Sequence, residues 1–225
     1  MRNRTFVSAA LLALSSASAA PAQPMAEILL RLDRFAPTFA GATASIRSVK
    51  HSAVLNDDDT EMGVITIKRF APGKLRFIIS FKGDNAYTVV LGDQQVEKYY
   101  PKANVIEQYN IRKYRDIAQQ LLLLGFGTAG RELAVNYQVR DVRPESIGSQ
   151  PTTHLELIPK SAEVLKLLTK VELWISDTSQ CPVQQKFYSP GGDHKTVLFS
   201  DLKLNPILPS TVFDLPKNAR RLRMN

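Results

Sequence analysis

The chain has 225 residues, of which 44% are hydrophobic and 22% are charged, and its formal net charge is +8. This length and composition are typical of one globular domain with its own core, and they exclude a disordered or collagen-like chain. Cys181 is the only cysteine, which excludes an internal disulfide. The basic balance permits contact with anionic lipid or nucleic acid, but a soluble protein with a basic tail explains it as well.

The N-terminus has the pattern of a secretory signal peptide. Two arginines precede an apolar run, 6–14, and the small residues Ala17 and Ala19 are typical of a cleavage site. The run is shorter than the ~20 residues that a membrane-spanning helix needs. No cysteine lies near the cleavage site, which argues against a lipid-anchored N-terminus. We therefore expect residues 1–19 to be removed and residues 20–225 to form a single exported domain.

An amphipathic helix is predicted at 25–38. Its apolar residues recur at helical spacing, so one stripe of the helix should pack against another element. The stripe comprises Ile28, Leu29, Leu32 and Phe35. Pro37 and Gly41 mark the end of this helix.

The segment 65–101 predicts four short strands joined by tight turns. The turns are rich in glycine, proline, asparagine and aspartate, and they lie at 71–73, 82–85 and 92–93. Successive side chains of a strand point to opposite faces, so alternation shows which residues share a face. One face of the second strand is apolar and comprises Leu75, Phe77, Ile79 and Phe81.

The first of these strands places an arginine in line with apolar residues. Ile65, Ile67 and Arg69 share one face by alternation. This arrangement is unusual in a closed core, because a buried guanidinium group needs hydrogen-bond partners. The pattern therefore favours a concave apolar sheet with one inward-facing cation, and hence a binding cavity.

The segment 113–126 predicts the most apolar short helix of the chain. Its apolar face comprises Ile117, Leu121 and Leu124, and it is widened by Leu122 and Leu123. Such breadth exceeds what one-sided docking requires. Two interpretations fit it, a well-buried helix or a mobile lid over the sheet.

Three glycines after this helix, Gly125, Gly127 and Gly130, match the spacing of a dinucleotide-binding motif. They follow a predicted helix and precede a predicted strand, whereas a phosphate site needs the order strand, glycines, helix. We interpret them as a helix stop followed by a flexible connector that suits a hinge.

From Glu132 onward the chain predicts further strands joined by short turns. These strands are Leu133–Val142, Thr152–Ile158, Val171–Ser176, Val183–Tyr188 and Lys195–Leu204. A helical turn is expected within 161–168. Sequential strands with short turns predict an antiparallel meander of about ten or eleven strands in one domain.

The residue types that carry catalysis or bind metals form no recognisable motif. His51, His154 and His194 are scattered over predicted surface strands or turns, without the i, i+4 spacing of a zinc site. Cys181, next to Pro182, is expected to be a half-buried strand residue. The sequence has no nucleophile elbow and no phosphate-binding loop. We therefore expect no enzymatic activity, no metal, no cofactor and no nucleic-acid partner.

Several segments, in a fixed order, resemble the periplasmic outer-membrane lipoprotein carrier family, LolA. They are ITIKRFAPGKLRF (65–77), VVLGDQQVEKYYPKANVIEQY (89–109), LELIPKS (155–161), VELWISDTSQCPVQQKFYSPGGDHKTVLFSDLKLN (171–205) and STVFDLPKNARRL (210–222). Each segment is weak evidence alone, and their order and spacing together carry the resemblance.

The resemblance implies a mainly β fold of the α+β class, a single antiparallel, half-open β-barrel whose concave face is covered by helices. It also implies a periplasmic carrier that binds the acyl chains of lipoproteins and shuttles them from the inner to the outer membrane. The partners expected from the family are an inner-membrane lipoprotein-release transporter and an outer-membrane receptor. The expected state is a monomer.

The resemblance also implies roles for individual residues. The family uses a strand-end arginine to hydrogen-bond the helical lid, and Arg69 is the matching residue. In the family a proline usually follows directly, whereas here Phe70 and Ala71 intervene before Pro72. The residues expected to line the lipid cavity are Ile65, Ile67, Leu75, Phe77, Ile79, Phe81, Tyr87, Val89, Ile117, Leu121 and Leu124.

Two other functions fit the sequence. A periplasmic protein of related fold would sense acylated signals or carry glycolipids and other apolar molecules. A hydrolase would need a polar catalytic group inside the cavity. The basic tail at 220–223 either contacts a membrane complex or frays.

Overall fold

The computed structural model describes residues 25–71, 74–92, 94–209 and 211–224. The predicted signal peptide, residues 1–19, lies outside these ranges, as do parts of two predicted turns and the side chain of Leu122. None of the helices within the described ranges is long and apolar enough to cross a membrane.

Twelve strands of the described chain form one sheet, accompanied by four short helices. The strands are β1 (Gly41–Ser52), β2 (Asp57–Ala71), β3 (Lys74–Phe81), β4 (Tyr87–Leu91), β5 (Gln95–Tyr100), β6 (Val105–Asn110), β7 (Tyr137–Ile147), β8 (Gln150–Pro159), β9 (Lys170–Ser176), β10 (Pro182–Tyr188), β11 (His194–Leu204) and β12 (Arg220–Met224). The helices are α1 (Met25–Phe35), followed by a 3-10 turn (Ala36–Thr38), α2 (Arg115–Leu122), α3 (Gly130–Asn136) and α4 (Ala162–Leu165).

The strand order is β12-β6-β5-β4-β3-β2-β1-β11-β10-β9-β8-β7, so the described sheet has two edges and is not closed. Every neighbouring pair is antiparallel except β12 with β6, which is parallel. The prediction of a mainly β fold with an antiparallel, open sheet and helices is therefore confirmed, apart from the parallel pair β12 and β6.

The predicted number of ten or eleven strands is too low, because the basic tail forms β12. Its residues pair with β6 from Val105 to Tyr109. Arg221 adds an ion pair to Glu97, with Nη1 at 2.6 Å from Oε1. The tail, with three arginines among five residues, has no apolar and polar alternation that would predict a strand. It becomes a strand by pairing with β6, which is distant in the sequence.

The predicted strand at 133–142 is also wrong in its first part, since α3 occupies 130–136 and β7 starts at Tyr137. Glu132, Leu133 and Ala134 are good helix formers. Gly130 lets α3 approach α1 closely, because a Cβ there would lie 2.0 Å from the carbonyl oxygen of Leu29.

Two clusters of buried side chains form the core. The barrel core comprises Phe39, Ala42, Ala44, Ile46, Ile65, Ile67, Phe77, Phe81, Leu91, Leu123, Phe126, Cys181 and Phe199. The second core lies beside α1 and comprises Ile28, Leu32, Leu124, Leu133, Tyr137, Val139, Leu155, Leu157, Val171, Leu173 and Ile175. Cys181 is fully buried, not half-buried as predicted, and this burial raises the pKa of its thiol to about 12.

His154 is a further correction, because it is only 1% exposed where a surface residue was predicted. Neither ring nitrogen has a hydrogen-bond partner among the described residues. The ring lies 4.8 Å from that of Trp174, and Nδ1 lies 3.8 Å from an oxygen of Asp141. Desolvation, followed by the charge of Arg143, lowers the pKa of His154 below its ordinary value of 6.5.

Folded stability should therefore fall at mildly acidic pH. A lowered pKa in the folded state means that the unfolded chain binds the proton more readily, so the free energy of unfolding decreases as the pH drops below 6.5. The His154→Phe variant keeps a ring beside Trp174 and removes the titration. Urea unfolding at about pH 7.5 and about pH 5 should show a smaller loss in the variant than in the wild type. Equal losses would contradict a neutral, buried His154.

Candidate functional site

The inner face of the sheet, which is the face that packs on the barrel core, carries the predicted apolar row in register. β2 and β3 place its members directly opposite one another. The pairs are Ile65 with Ile79, Ile67 with Phe77, and Arg69 with Leu75. The alternation read from the sequence therefore holds in the structure, and Arg69 stands at the end of the row.

The guanidinium group of Arg69 binds two backbone carbonyl groups outside the sheet. Nη1 donates to the oxygen of Ala36 at 2.8 Å, and Nη2 donates to that of Gly127 at 3.2 Å. The guanidinium carbon lies 5.8 Å from the centre of the Phe39 ring. Ala36 belongs to the 3-10 turn after α1, and Gly127 belongs to the loop after α2. One charged side chain thus ties two separate helical segments to β2.

Phe70 and Ala71, which interrupt the resemblance, are accommodated by a β-bulge. The pairing of β2 with β3 shifts between Arg69 and Ala71, so the extra residue is absorbed in the strand. Phe70 is half-exposed, and the cationic groups of Lys68 and Arg76 lie over its ring. The insertion alters the end of the hairpin, and the bonds of Arg69 are made despite it.

Residues 115–127, which are α2 and the loop after it, are called the cover segment. Leu123 and Phe126 of this segment are buried in the barrel core. The ring of Phe126 lies 5.1 Å from that of Phe199 and 6.3 Å from that of Phe39. The cover segment is therefore closed onto the inner face of the sheet.

Two glycines shape the end of the cover segment, as the interpretation of a helix stop requires. Gly125 and Gly127 have φ angles of +85° and +64°, which other residues rarely adopt. At Gly127 a Cβ would lie 2.5 Å from the ring of Phe39 and 2.9 Å from Nη2 of Arg69. Only glycine leaves room for the guanidinium group at this point.

A second polar side chain, which the sequence patterns above did not single out, holds the cover segment. Nε2 of Gln185 donates to the carbonyl oxygen of Leu124, and Gln185 is only 3% exposed. The signal was present in the sequence. Val183, Gln185 and Phe187 alternate along β10, so a polar residue interrupts an apolar row just as Arg69 does in β2.

A cavity of about 550 Å³, here called the inner cavity, lies on the inner face of the sheet, where Leu121 of the cover segment and Leu167 and Leu168 after α4 also line it. Its apolar lining comprises Ile46, Ile65, Ile79, Phe81, Leu121, Leu167, Leu168, Phe187, Val197 and Phe199. Four of these, Ile65, Ile79, Phe81 and Leu121, belong to the predicted cavity residues. Charged lining residues gather at one end, near the β10–β11 hairpin, and include Lys50, Asp193 and Lys195.

A larger groove of about 1110 Å³, here called the outer groove, runs along the cover segment from Arg115 to Gly127. Three predicted residues, Arg69, Leu75 and Leu124, line it. Its other lining side chains include the charged Asp33, Lys74, Arg115, Arg131 and Glu132. Burying an apolar chain against so many charged groups would remove water from them at a cost, so the inner cavity suits apolar cargo better.

The remaining predicted cavity residues line neither the inner cavity nor the outer groove. Ile67 and Phe77 are fully buried in the barrel core. Tyr87 and Val89 are half-buried and pack against it. Ile117 is half-buried on α2.

The part of the inner face beyond Phe81 is polar. The hydroxyl of Tyr87 donates to Oε1 of Glu61 at 2.7 Å, and Nζ of Lys98 lies 4.0 Å from the centre of the same ring. Desolvation, followed by the hydrogen bond to Glu61, raises the pKa of Tyr87. The phenol is therefore neutral and acts as a donor that occupies the Glu61 carboxylate.

No protein-family model matches the chain, and no curated protein sequence matches it. Among solved structures, an uncharacterised conserved protein from Thermus thermophilus is similar, with a TM-score of 0.53 and 13% identity over 89% of this chain and 100% of that chain. MucB gives a TM-score of 0.53 and 13% identity over 87% of this chain, which spans 64% of the MucB chain. These two similarities show a shared fold.

A LolA superfamily protein, NE2245 from Nitrosomonas europaea, is more distant in structure. Its TM-score is 0.41 and its identity is 16%, over 85% of this chain and 98% of that chain. A putative outer-membrane lipoprotein-sorting protein domain from Vibrio parahaemolyticus gives a TM-score of 0.45 and 14% identity, over 84% of this chain and 94% of that chain.

Replacing Gln185 by leucine should loosen the cover segment. The carbonyl of Leu124 would lose its donor in a buried place, which costs about 1–3 kcal/mol. Hydrogen exchange of the amides at 123–127, followed by mass spectrometry, should become faster. The matched control is Gln184→Leu, on the opposite face of β10, which should leave this exchange unchanged. If the amides at 123–127 exchange in Gln185→Leu as slowly as in the wild type, Gln185 does not hold the cover segment.

Proposed function

We propose that the protein is a periplasmic carrier that binds the acyl chains of lipoproteins in the inner cavity and shuttles them from the inner to the outer membrane. The observation that carries the proposal is the combination of an apolar cavity with a cover segment held by polar bonds. The LolA-like sequence segments agree with it. The proposal includes no catalytic step and no cofactor.

The energetics of such a carrier require a latch. Each buried CH₂ group of an acyl chain contributes about 0.8 kcal/mol, so a closed apolar site would bind its cargo too tightly to release it. The bonds from Arg69 and Gln185 stabilise the closed, empty state, and opening the cover segment breaks them. Cargo binding must overcome this free energy, which lowers the net affinity and permits transfer to a receptor with a more apolar site.

The partners of the proposed cycle follow from the family resemblance. An inner-membrane lipoprotein-release transporter would load the carrier, and an outer-membrane receptor would unload it. The protein would act between them as a monomer. This cycle requires the signal peptide at 1–19 to direct the chain to the periplasm.

A second candidate is a periplasmic lipid-binding or acyl-sensing protein of related fold. The size of the inner cavity favours it, because about 550 Å³ lies within the range of about 300–1,000 Å³ that is usual for one small ligand. Purification from the native envelope, followed by mass spectrometry of what is bound, separates the two. Triacylated lipoprotein supports the carrier, and a free lipid supports the second candidate.

The Arg69→Leu variant should retain its lipoprotein cargo and transfer it poorly. Loss of two bonds from a charged group removes about 3 kcal/mol or more of stabilisation from the closed state, so transfer to outer-membrane vesicles should fall by well over tenfold. The control is Lys68→Leu, the neighbouring residue on the other face of β2. If Arg69→Leu loads and releases cargo as the wild type does, the latch is refuted.

A further inference from the structure

One end of the inner cavity carries two cations on neighbouring strands. Lys50 of β1 and Lys195 of β11 lie directly opposite each other in the sheet register, and both line the cavity. Like charges in directly opposite positions destabilise a sheet. The pair therefore lowers the stability of the folded sheet, and a negatively charged ligand between the two lysines would remove this cost.

The acid that lies directly opposite Lys50 in the register is Asp59 of β2. No ion pair found among the described residues includes Lys50 or Lys195. Glu61 is the acid whose charge raises the pKa of Lys195. Its carboxylate already accepts a hydrogen bond from the hydroxyl of Tyr87. Asp193 also lines the cavity, but Oδ1 of its carboxylate accepts from the backbone N–H of Ala53 at 2.9 Å.

The positive charge of Lys195 is disfavoured by its surroundings. Desolvation lowers the pKa of Lys195, and the charge of Lys50 lowers it further, while Glu61 acts in the opposite direction. Both lysines are exposed at the surface, so a ligand can reach them. A negative group between them would offset both the repulsion and the desolvation.

We propose that Lys50 and Lys195 bind the acidic head group, a carboxylate or a phosphate, of an amphiphile whose acyl chain occupies the inner cavity. The apolar wall formed by Ile65, Phe81 and Phe187 would take the chain, and the rim cations would take the head. This inference rests on acyl binding in the inner cavity, which both candidate functions share. It favours the second candidate, because the acylated cysteine of a lipoprotein carries no acidic head group.

The test compares three ligands with the same acyl chain. Palmitate carries a carboxylate, palmitoyl-lysophosphatidate carries a phosphate, and monopalmitin is neutral. Isothermal titration calorimetry of the purified protein, below the micelle concentration of each ligand, should show the acidic ligands binding roughly tenfold more tightly than monopalmitin. High salt should reduce the difference. Tighter binding of lysophosphatidate than of palmitate assigns the site to phosphate, and the reverse assigns it to carboxylate.

The matched variants remove two positive charges from the same two strands. The double variant Lys50→Gln, Lys195→Gln alters the inner face, and the control Arg47→Gln, Lys203→Gln alters exposed residues outside the cavity. The first should lose the preference for acidic ligands and keep its affinity for monopalmitin. The control should behave as the wild type.

The outcomes separate this inference from the proposed function. Equal binding of palmitate, lysophosphatidate and monopalmitin by the wild type overturns the head-group site and leaves the acyl cavity standing. An equal loss of preference in both double variants also overturns it, because net charge would then explain the effect. Failure of all three ligands to bind overturns the acyl-binding function itself.

Discussion

The two hydrogen bonds from Arg69 to the carbonyl oxygens of Ala36 and Gly127 govern how the helices sit on the sheet. A guanidinium group bound to backbone carbonyls can exchange these partners for water, so the net free energy of each bond is small, about 1.5–3 kcal/mol for a charged donor. The cover segment is consequently attached to β2 by contacts that can be reversed.

The lining of the inner cavity follows from the way in which the cover segment is attached to the sheet. Phe126 and Leu123 of the cover segment lie in the barrel core, and Gln185 adds a second polar attachment from β10. The lining of the inner cavity is mostly apolar, and Lys50, Lys195 and Asp193 lie at one end of it. A site with an apolar middle and a cationic rim is complementary to an amphiphile, in which a hydrocarbon chain ends in an acidic group.

Much of the fold and part of the site could be predicted from the sequence. Alternation in 65–81 placed Arg69 on the apolar face because β2 and β3 are regular up to the bulge. The same rule applied to β10 would have found Gln185. Leu124 was assigned to the lipid cavity by helical spacing, but α2 ends at Leu122 and the loop turns Leu124 into the second core. The glycines predict that a helix stops near Gly125, but helical periodicity does not show that α2 already ends at Leu122.

Other features depend on contacts between distant segments, which local patterns do not encode. The pairing of β12 with β6 and the burial of His154 beside Trp174 are of this kind. The opposition of Lys50 and Lys195 is another, because it follows from the register of β1 with β11. Lys50 and Lys195 each have the pattern of an ordinary surface residue in their own strands. Only the register between β1 and β11 shows that the two lie side by side.

The distance between the cover segment and the sheet is the most direct measure of whether acyl cargo opens the site. Spin labels on Ala118→Cys in α2 and Thr196→Cys in β11 would report it, and the buried Cys181 thiol, with its raised pKa, would react little with the label. Pulsed electron paramagnetic resonance should give one short distance between the two labels without ligand. The distance should be longer when a synthetic triacylated lipopeptide is bound. An unchanged distance while the lipopeptide binds would contradict the account.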